Sequence, residues 1–419
     1  RAVTRPGAPM GGHSAPAWSP DGRFLAFSVF EGGPDDGGWL VDVASGAVSR
    51  LGGGRGTYEV AFAPDGSAVY AAGGGQAIVH RIPFDAGRGR ATGPPEMMAV
   101  AGVPGVRGLS VSSDGRTLAF AGLSLSSQIW AQPLGPAGAP AGPAHALTDD
   151  TSRRNSMAVI APDGRKVSYV SSRRGEAPNI WVMDIDGGRK LQLTSDHSAD
   201  SKATWFPDAR RIAFFSNRGE SMGFFAVDVG TRLETPLVDL QGEGRELFDV
   251  GYPREMELSP SLSQLALAVI ARPDGRRRIF VTPMSSLAPR PLTAPDVWAG
   301  YPAWSPDERW LAVEVKRGAS TQAAVVEVAT GALRVLTDEP GQTWVRSWSP
   351  DGSHIAVAVL RAGRWSLRAI DVASGRQAEL LPQAPANVYV RYPEWSPRND
   401  VIVFERGELR GNIWTLPVR

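Results

Sequence analysis

Short apolar stretches separated by turn residues run along the whole chain, and none has the sustained 3.6-residue period of a long amphipathic helix. Around the first turn, "SAPAWS" and "FLAFSVF" flank "SPDG", and "GWLVDV" and "AVSRL" follow as two further strand-like segments. Proline and aspartate favour the central positions of such a turn, and glycine adopts the left-handed backbone that closes a tight hairpin. The pattern predicts a four-stranded antiparallel sheet as the basic unit.

The turn recurs nine times. At its aspartate position stand Asp21, Asp65, Asp114, Asp163, Asp208, Ser261, Asp307, Asp351 and Arg398. The steps between them run from 44 to 53 residues, which is the length of a four-stranded propeller blade. The sequence therefore predicts an all-β protein, a single β-propeller of nine blades, with eight blades as the alternative. The predicted blades are approximately 13–52, 57–101, 105–149, 155–196, 201–240, 254–294, 300–338, 343–382 and 388–419, the last completed by 1–5.

A large apolar residue lies three positions before each of these turn residues. The nine are Trp18, Phe62, Val111, Ile160, Trp205, Leu258, Trp304, Trp348 and Trp395. We expect them to pack between neighbouring blades and the aspartates to stabilise turns, because nine copies of a catalytic aspartate would serve no single substrate. The repeat is thus interpreted as structural.

Ring closure has a candidate segment at the amino end. The ninth repeat ends after its third strand, and a propeller left one strand short exposes an unpaired edge. "RAVTR" resembles the fourth-strand segments "QLTS" and "VLTD". We expect Ala2–Thr4 to pair beside Asn412–Val418 as the outer strand of the last blade.

The segments "PAWSPDG", "IAFFSNRGE" and "NIWVMDIDGGRKLQLTSD" resemble the repeat of TolB-type, WD-repeat-like bacterial β-propellers, over essentially the whole chain. The resemblance implies a disc of radially arranged sheets that serves as a binding platform, with the periplasm or cell surface as its location. Similar repeats stand at the carboxyl end of bacterial serine/threonine kinases and winged-helix regulators, and some related propellers gate a hydrolase. The TolB propeller itself has fewer blades, and its amino-terminal α/β domain has no counterpart here.

Charge and composition exclude several functions. With 44 basic and 43 acidic residues, the net charge of +1 supplies no field for nucleic acid or for an anionic membrane. There is no cysteine, and no apolar stretch is long enough to span a bilayer. The five histidines show no metal-binding spacing, so neither a metal nor a cofactor is expected.

A possible nucleophile motif occurs once, in Gly219-Glu220-Ser221-Met222-Gly223, which matches G-x-S-x-G. That motif works on a strand-to-helix turn, whereas here it separates two apolar strands and is interpreted as a hairpin loop. We therefore expect no catalytic residue, and the chain is predicted not to be an enzyme.

Two groups of charged residues are candidates for binding. Loops after the second strand of several blades carry arginines that are expected to surround one channel mouth: Arg173, Arg174, Arg218, Arg317, Arg361 and Arg406. First strands, which lie nearest the axis, carry charges expected to line a channel: Glu59, Lys202, Glu255, Arg346 and Glu394.

These features predict a monomeric, non-catalytic binding or sensor propeller within a larger bacterial signalling protein. The expected partner at the channel mouth is a protein, a peptide or a small anionic ligand. Two alternatives stay open: the gating propeller of a serine peptidase without its hydrolase domain, and a periplasmic TolB-like scaffold.

Overall fold

The computed structural model of the protein describes residues 2–4, 9, 12–30, 35–52, 57–73, 78–99, 105–173, 176–195, 198–218, 222–240, 242, 251–271 and 275–418. These residues form two compact units. The first unit comprises Arg1–Leu125, Arg272–Gly275 and Leu409–Arg419, and the second comprises Ser126–Ala271 and Arg276–Glu408.

Strands dominate both units, and the regular helix in the described residues is one 3₁₀ turn at Pro136–Gly138. The strands in chain order are β1 (Gly12–Trp18), β2 (Phe24–Phe30), β3 (Gly37–Asp42), β4 (Val48–Gly52), β5 (Thr57–Phe62), β6 (Ala68–Gly73), β7 (Ile78–Asp85), β8 (Arg90–Ala91), β9 (Glu96–Ala99), β10 (Val106–Val111), β11 (Thr117–Pro133), β12 (His145–Ala146), β13 (Arg153–Ile160), β14 (Lys166–Arg173), β15 (Asn179–Asp184), β16 (Leu191–Gln192), β17 (Asp200–Trp205), β18 (Arg211–Ser216), β19 (Gly223–Asp228), β20 (Glu234–Asp239), β21 (Gly251–Leu258), β22 (Gln264–Ala271), β23 (Arg277–Pro283), β24 (Arg290–Pro291), β25 (Ala299–Trp304), β26 (Trp310–Arg317), β27 (Ser320–Glu327), β28 (Leu333–Val335), β29 (Gln342–Trp348), β30 (His354–Arg361), β31 (Arg364–Asp371), β32 (Gln377–Leu381), β33 (Val388–Trp395) and β34 (Val401–Pro417).

Five of the seven sheets formed by the described strands are of the predicted four-stranded antiparallel type, and the other two have five and nine strands. Five such sheets are formed by β1 to β4, β17 to β20, β21 to β24, β25 to β28 and β29 to β32. In each, the strands pair in the order in which they follow one another along the chain. The predicted all-β fold class is confirmed.

Tryptophans at the repeated position join adjacent sheets of the second unit, as expected. The indole N–H of Trp348 donates to the backbone carbonyl oxygen of Ala303 at 3.0 Å. The indole N–H of Trp304 donates to the backbone carbonyl oxygen of Glu257, also at 3.0 Å. Trp205 makes the same bond to Val159. Trp18 differs, because 56% of its surface is exposed. It lies in the first sheet of the first unit.

The repeated aspartates stabilise turns. Asp351 accepts hydrogen bonds from the Ser349 hydroxyl at 2.6 Å and from the backbone N–H of Ser353 at 3.0 Å. The Ser349 bond is the main reason why the pKa of Asp351 falls to about 2. A carboxylate that is saturated with donors in this way closes the turn and is poorly suited to proton transfer.

The second unit closes on itself with six innermost strands. In chain order β13, β17, β21, β25, β29 and β33 each contact the next, and β33 contacts β13. Strands β1 to β10 belong to the first unit. The prediction of nine blades around one axis is therefore not confirmed, and the predicted blade boundaries stay a prediction.

The two longest strands, β11 and β34, explain this difference. The predicted four-stranded unit needs a turn between its second and third strands, but each of these two segments is one strand of 17 residues and pairs with the other. In the second unit the Leu134 N–H donates to the Asp400 carbonyl at 2.8 Å, and in the first the Val418 N–H donates to Arg116 at 2.8 Å. The third and ninth repeats have thus exchanged their outer strands.

The predicted closure by the amino end is also not what the structure has. The described residues of that segment, Ala2–Thr4, form no strand, and Val3 packs against Phe27, Val29 and Val41 of the first sheet. The segment Asn412–Val418 pairs instead with the first half of β11. The edge that the amino end was expected to cover is therefore paired with β11.

Candidate functional site

A cavity of about 340 Å³ lies within the second unit, and each of its six innermost strands contributes to the lining. One residue from each strand in chain order is Met157, Lys202, Glu255, Tyr301, Arg346 and Tyr392. The volume falls in the range of small-ligand sites, and aromatic, apolar and charged side chains all face the space. This cavity is the candidate site.

Irregular backbone places many of these side chains. The pairing of each innermost strand of the second unit with its neighbour shifts register once, for example between Ser201 and Thr204 and between Gly300 and Ala303. A β-bulge of this kind redirects a side chain out of the regular alternation. Bulge residues of five of the six strands line the cavity, which ties the backbone irregularity to the site.

Four of the bulge residues have left-handed backbone. The φ angles are 52° for Met157, 56° for Lys202, 51° for Tyr301 and 52° for Tyr392. A residue other than glycine costs free energy in this conformation, and such outliers concentrate at binding and catalytic sites. Ala15 and Gly108 of the first unit have left-handed φ angles of 48° and 62° at the same position of the repeat, so the conformation is a feature of the repeat, and in the second unit it brings these side chains to one cavity.

Ion pairs fix the charged side chains of the cavity. Arg346 lies 3.2 Å from Glu257, and Arg277 lies 3.2 Å from Glu255. Burial alone would lower the pKa of Arg346, but the nearby carboxylate of Glu257 raises it. The guanidinium group of Arg346 therefore remains charged, and the two ion pairs set the positions of both arginines before any ligand arrives.

A second cavity, of about 400 Å³, shares Glu257 and Arg346 with the first and is also lined by Glu394. Prolines of the repeated turns and the buried rings of Trp304 and Trp348 form much of its wall. Burial raises the pKa of Glu394 to about 8, and the nearby Arg346 only partly offsets this effect. Glu394 is thus a largely uncharged acid at pH 7.

Replacing Glu394 by glutamine is expected to remove a pH-dependent loss of stability. The pKa of the carboxyl is 4.5 in the unfolded chain and about 8 when folded, so unfolding releases a proton between these values. Stability contributed by this group therefore falls as the pH rises through that window. At pH 9 we expect Glu394→Gln to be more stable than the natural protein by about 1–3 kcal/mol, with little difference at pH 5.

The measurement is urea unfolding at both pH values. The control is Glu379→Gln, which changes an exposed carboxylate on β32 of the same unit. A stability difference that does not vary with pH would contradict the assigned pKa.

The predicted channel-lining residues fall into three places. Lys202, Glu255 and Arg346 line the first cavity, and Glu394 lines the second. Glu59 lies partly buried on β5 of the first unit. Four of the five residues are therefore brought to the inside of the second unit.

The arginines predicted to surround a channel mouth contact acidic or aromatic residues. Arg173 lies 3.7 Å from Asp150, and Arg317 lies 3.9 Å from Asp338. Arg361 pairs with Glu339. Such pairs reduce the positive field that an anionic ligand would meet.

The remaining arginines of this group have similar surroundings. Arg218 pairs with Glu234 and lies 3.4 Å from Asp200, and Arg406 lies 4.3 Å from the centre of the Trp130 ring. Arg174 lies outside the described residues. The binding role of this group stays a prediction.

Sequence reasoning missed the aromatic and apolar part of the cavity, namely Met157, Tyr301, Trp344 and Tyr392, and it also missed the cation Arg391. A signal was present, because Tyr301 and Tyr392 each stand three residues before a tryptophan of the repeat, as Lys202 does. That position coincides with the bulge.

Other candidate chemistry is sparse in the part of the chain that the structure describes. No group of three or more His, Asp or Glu side chains there could hold a metal ion. Among the described helices, none is sufficiently long and apolar for a membrane crossing. Residues Gly219, Glu220 and Ser221 of the G-x-S-x-G match lie outside the described residues.

No protein-family model matches the chain. It is 26% identical over 151 residues to the uncharacterized peptidase YuxL of Bacillus subtilis, which is 36% of this chain and 20% of that protein. It is 32% identical over 77 residues to dipeptidyl-peptidase 5 of Porphyromonas gingivalis, which is 17% of this chain and 11% of that protein. The matches thus span about a fifth or less of these relatives.

Among solved structures, a protein assigned as TolB from Agrobacterium tumefaciens superposes with a TM-score of 0.51 at 15% identity. The superposition covers 68% of this chain and 99% of that one. The predicted TolB-like β-propeller fold is confirmed.

The prediction that the chain is not an enzyme is wrong, because these two curated relatives are peptidases. The error has a physical cause. The sequence of a propeller repeat determines how its sheets pack, and both enzymes and binding proteins use this packing. The absence of a catalytic motif from the repeats was therefore a poor argument.

Proposed function

We propose that this chain is the propeller portion of a peptidase and that the first cavity of the second unit binds short peptides. The observation that carries the proposal is the convergence of six bulged strands on one cavity of small-ligand size. The two partial matches to peptidases support the class of ligand.

The lining suits a peptide. Tyr301, Tyr392 and Trp344 offer aromatic faces to apolar side chains, and their hydroxyl or indole groups can bond to peptide N–H and C=O groups. The paired charges of Glu257 and Arg346 provide fixed acceptors and donors in the same lining. Such a mixture of apolar surface with a few placed polar groups is typical of ligand sites.

In this proposal the propeller selects and holds peptides for the peptidase, which develops the gating alternative of the sequence analysis. The sensor role, the larger signalling protein and the ring of arginines are predictions that the proposal does not require.

Calorimetric titration with alanine peptides of three to five residues tests the proposal. We expect saturable binding to the natural chain, and binding that is roughly 10- to 100-fold weaker after Tyr301→Ala and Tyr392→Ala are combined, because two aromatic contacts are removed. Trp414→Ala is the control, since Trp414 is 40% exposed and lies in the first unit. Circular dichroism checks that each variant is folded. Failure of every peptide to bind the natural chain would refute the proposal.

A further inference from the structure

Arg391 differs from the other charged residues of the first cavity. Glu255 and Glu257 each lie 3.2 Å from a guanidinium group, and Arg346 is the partner of Glu257. Arg391 also lines the cavity and is exposed, yet no described carboxylate lies within ion-pair distance of it. A cation at the wall of a ligand cavity without an internal counter-ion is available to an anion.

Aromatic rings hold the Arg391 guanidinium group. Its central carbon lies 4.6 Å from the centre of the Trp365 ring, 5.3 Å from that of Tyr389 and 6.0 Å from that of Trp344. Trp344 and Trp365 stack with centroids 4.7 Å apart, and Trp365 and Tyr389 are buried. Contacts with ring faces restrain a guanidinium group but do not use its N–H donors, which lie at its edge.

The backbone reinforces this placement. Arg391 is the last regularly paired residue before the bulge of β33, and Tyr392, the left-handed residue of that bulge, lines the same cavity. The aromatic platform and the bulge together restrict the position of the cation. A restrained guanidinium group loses less entropy on binding, and its planar fork matches a carboxylate with two parallel hydrogen bonds.

From these contacts we infer that Arg391 binds a carboxylate group of the peptide. The inference rests on the proposed function, because it names the chemical group that the cavity recognises. Two sources of the carboxylate are compatible with it, the free carboxyl end of a peptide and an acidic side chain. Both present the same planar pair of oxygen atoms to the guanidinium edge.

The test uses four defined peptides in calorimetric titrations of the full chain. Ala-Ala-Ala with a free carboxyl end is compared with its amide, and Ala-Glu-Ala amide is compared with Ala-Gln-Ala amide. In one of the two pairs, we expect the peptide that has the carboxylate to bind the natural chain about 10- to 100-fold more tightly than its neutral counterpart. A difference of this size is usual for charge-assisted hydrogen bonds. The pair that shows the difference identifies the source of the carboxylate.

Arg391→Gln is expected to abolish this preference, and Arg391→Lys to restore part of it, because lysine keeps the charge but not the fork. Arg364→Gln is the matched control, an exposed arginine of β31 that does not line the cavity, and it should keep the full preference. If the natural chain and Arg391→Gln bind all four peptides equally well, the role of Arg391 is refuted while peptide binding stands. If the natural chain binds none of them, peptide recognition by the cavity and the role of Arg391 are refuted together.

Discussion

Replacing Trp348 by alanine is expected to lower the free energy of unfolding of the second unit by about 3–5 kcal/mol, whereas Trp18→Ala should change stability by no more than about 0.5 kcal/mol. The two residues occupy the same position of the repeat. Trp348 is 6% exposed and its indole bonds to Ala303 of the neighbouring sheet, while Trp18 is 56% exposed. The loss at Trp348 combines a cavity with an unsatisfied carbonyl group.

Urea unfolding followed by circular dichroism measures both variants. Trp348→Phe separates the two contributions, because it keeps most of the ring surface and removes the hydrogen bond; about 1–3 kcal/mol should be lost. Equal losses in Trp18→Ala and Trp348→Ala would contradict the difference in packing between the two residues.

The double variant Ala131→Cys, Val403→Cys is expected to form a disulfide between the two introduced thiols when it is folded. Both natural residues are buried in one core cluster, and the bond from Leu134 to Asp400 sets the register that places them opposite each other on β11 and β34. The loop closed would be very long, so the bond is expected to stabilise the fold by up to about 5 kcal/mol.

Because the natural chain has no cysteine, the two introduced thiols are the only ones. Mass spectrometry of unreduced peptides after mild oxidation detects the bond. The control combines Ala131→Cys with Val315→Cys, which lies in a different core cluster and should not react. Free thiols at both 131 and 403 in the oxidised, folded protein would contradict the strand exchange and favour the hairpins predicted from the sequence.

The repeats predicted the sheets well because each depends on local signals. A turn sequence, two flanking apolar strands and a tryptophan lie within one segment, so the hairpin, the indole contact and the turn aspartate could all be derived from it. Lys202, Glu255 and Arg346 could be placed inside by the same reasoning, since first strands line the centre of a propeller.

Strand exchange could not be predicted, because the two segments involved are nearly equivalent. "SQIWAQPL" in the third repeat and "GNIWTLPV" in the ninth have the same pattern, so each can pair with the second strand of either repeat. The choice between a hairpin within each repeat and the exchanged pairing of β11 with β34 depends on how many sheets form one closed propeller. No single repeat encodes that number.

The aromatic part of the cavity was missed for a different reason. A bulge is a property of pairing between two strands, and a strand pattern read with strict alternation assigns Tyr301 and Tyr392 to the wrong face. Arg391 was overlooked because its aromatic contacts come from three different strands.

The exchanged strands also set the order of events during synthesis. Both units contain part of β34, and the ribosome makes this strand after β1 to β33. At about 5–20 residues per second, β11 waits on the order of tens of seconds for its partner. Its exposed edge during that interval is open to non-native pairing. Folding of both units is therefore completed only after translation has passed β34, and contacts this distant in sequence make the final step slow.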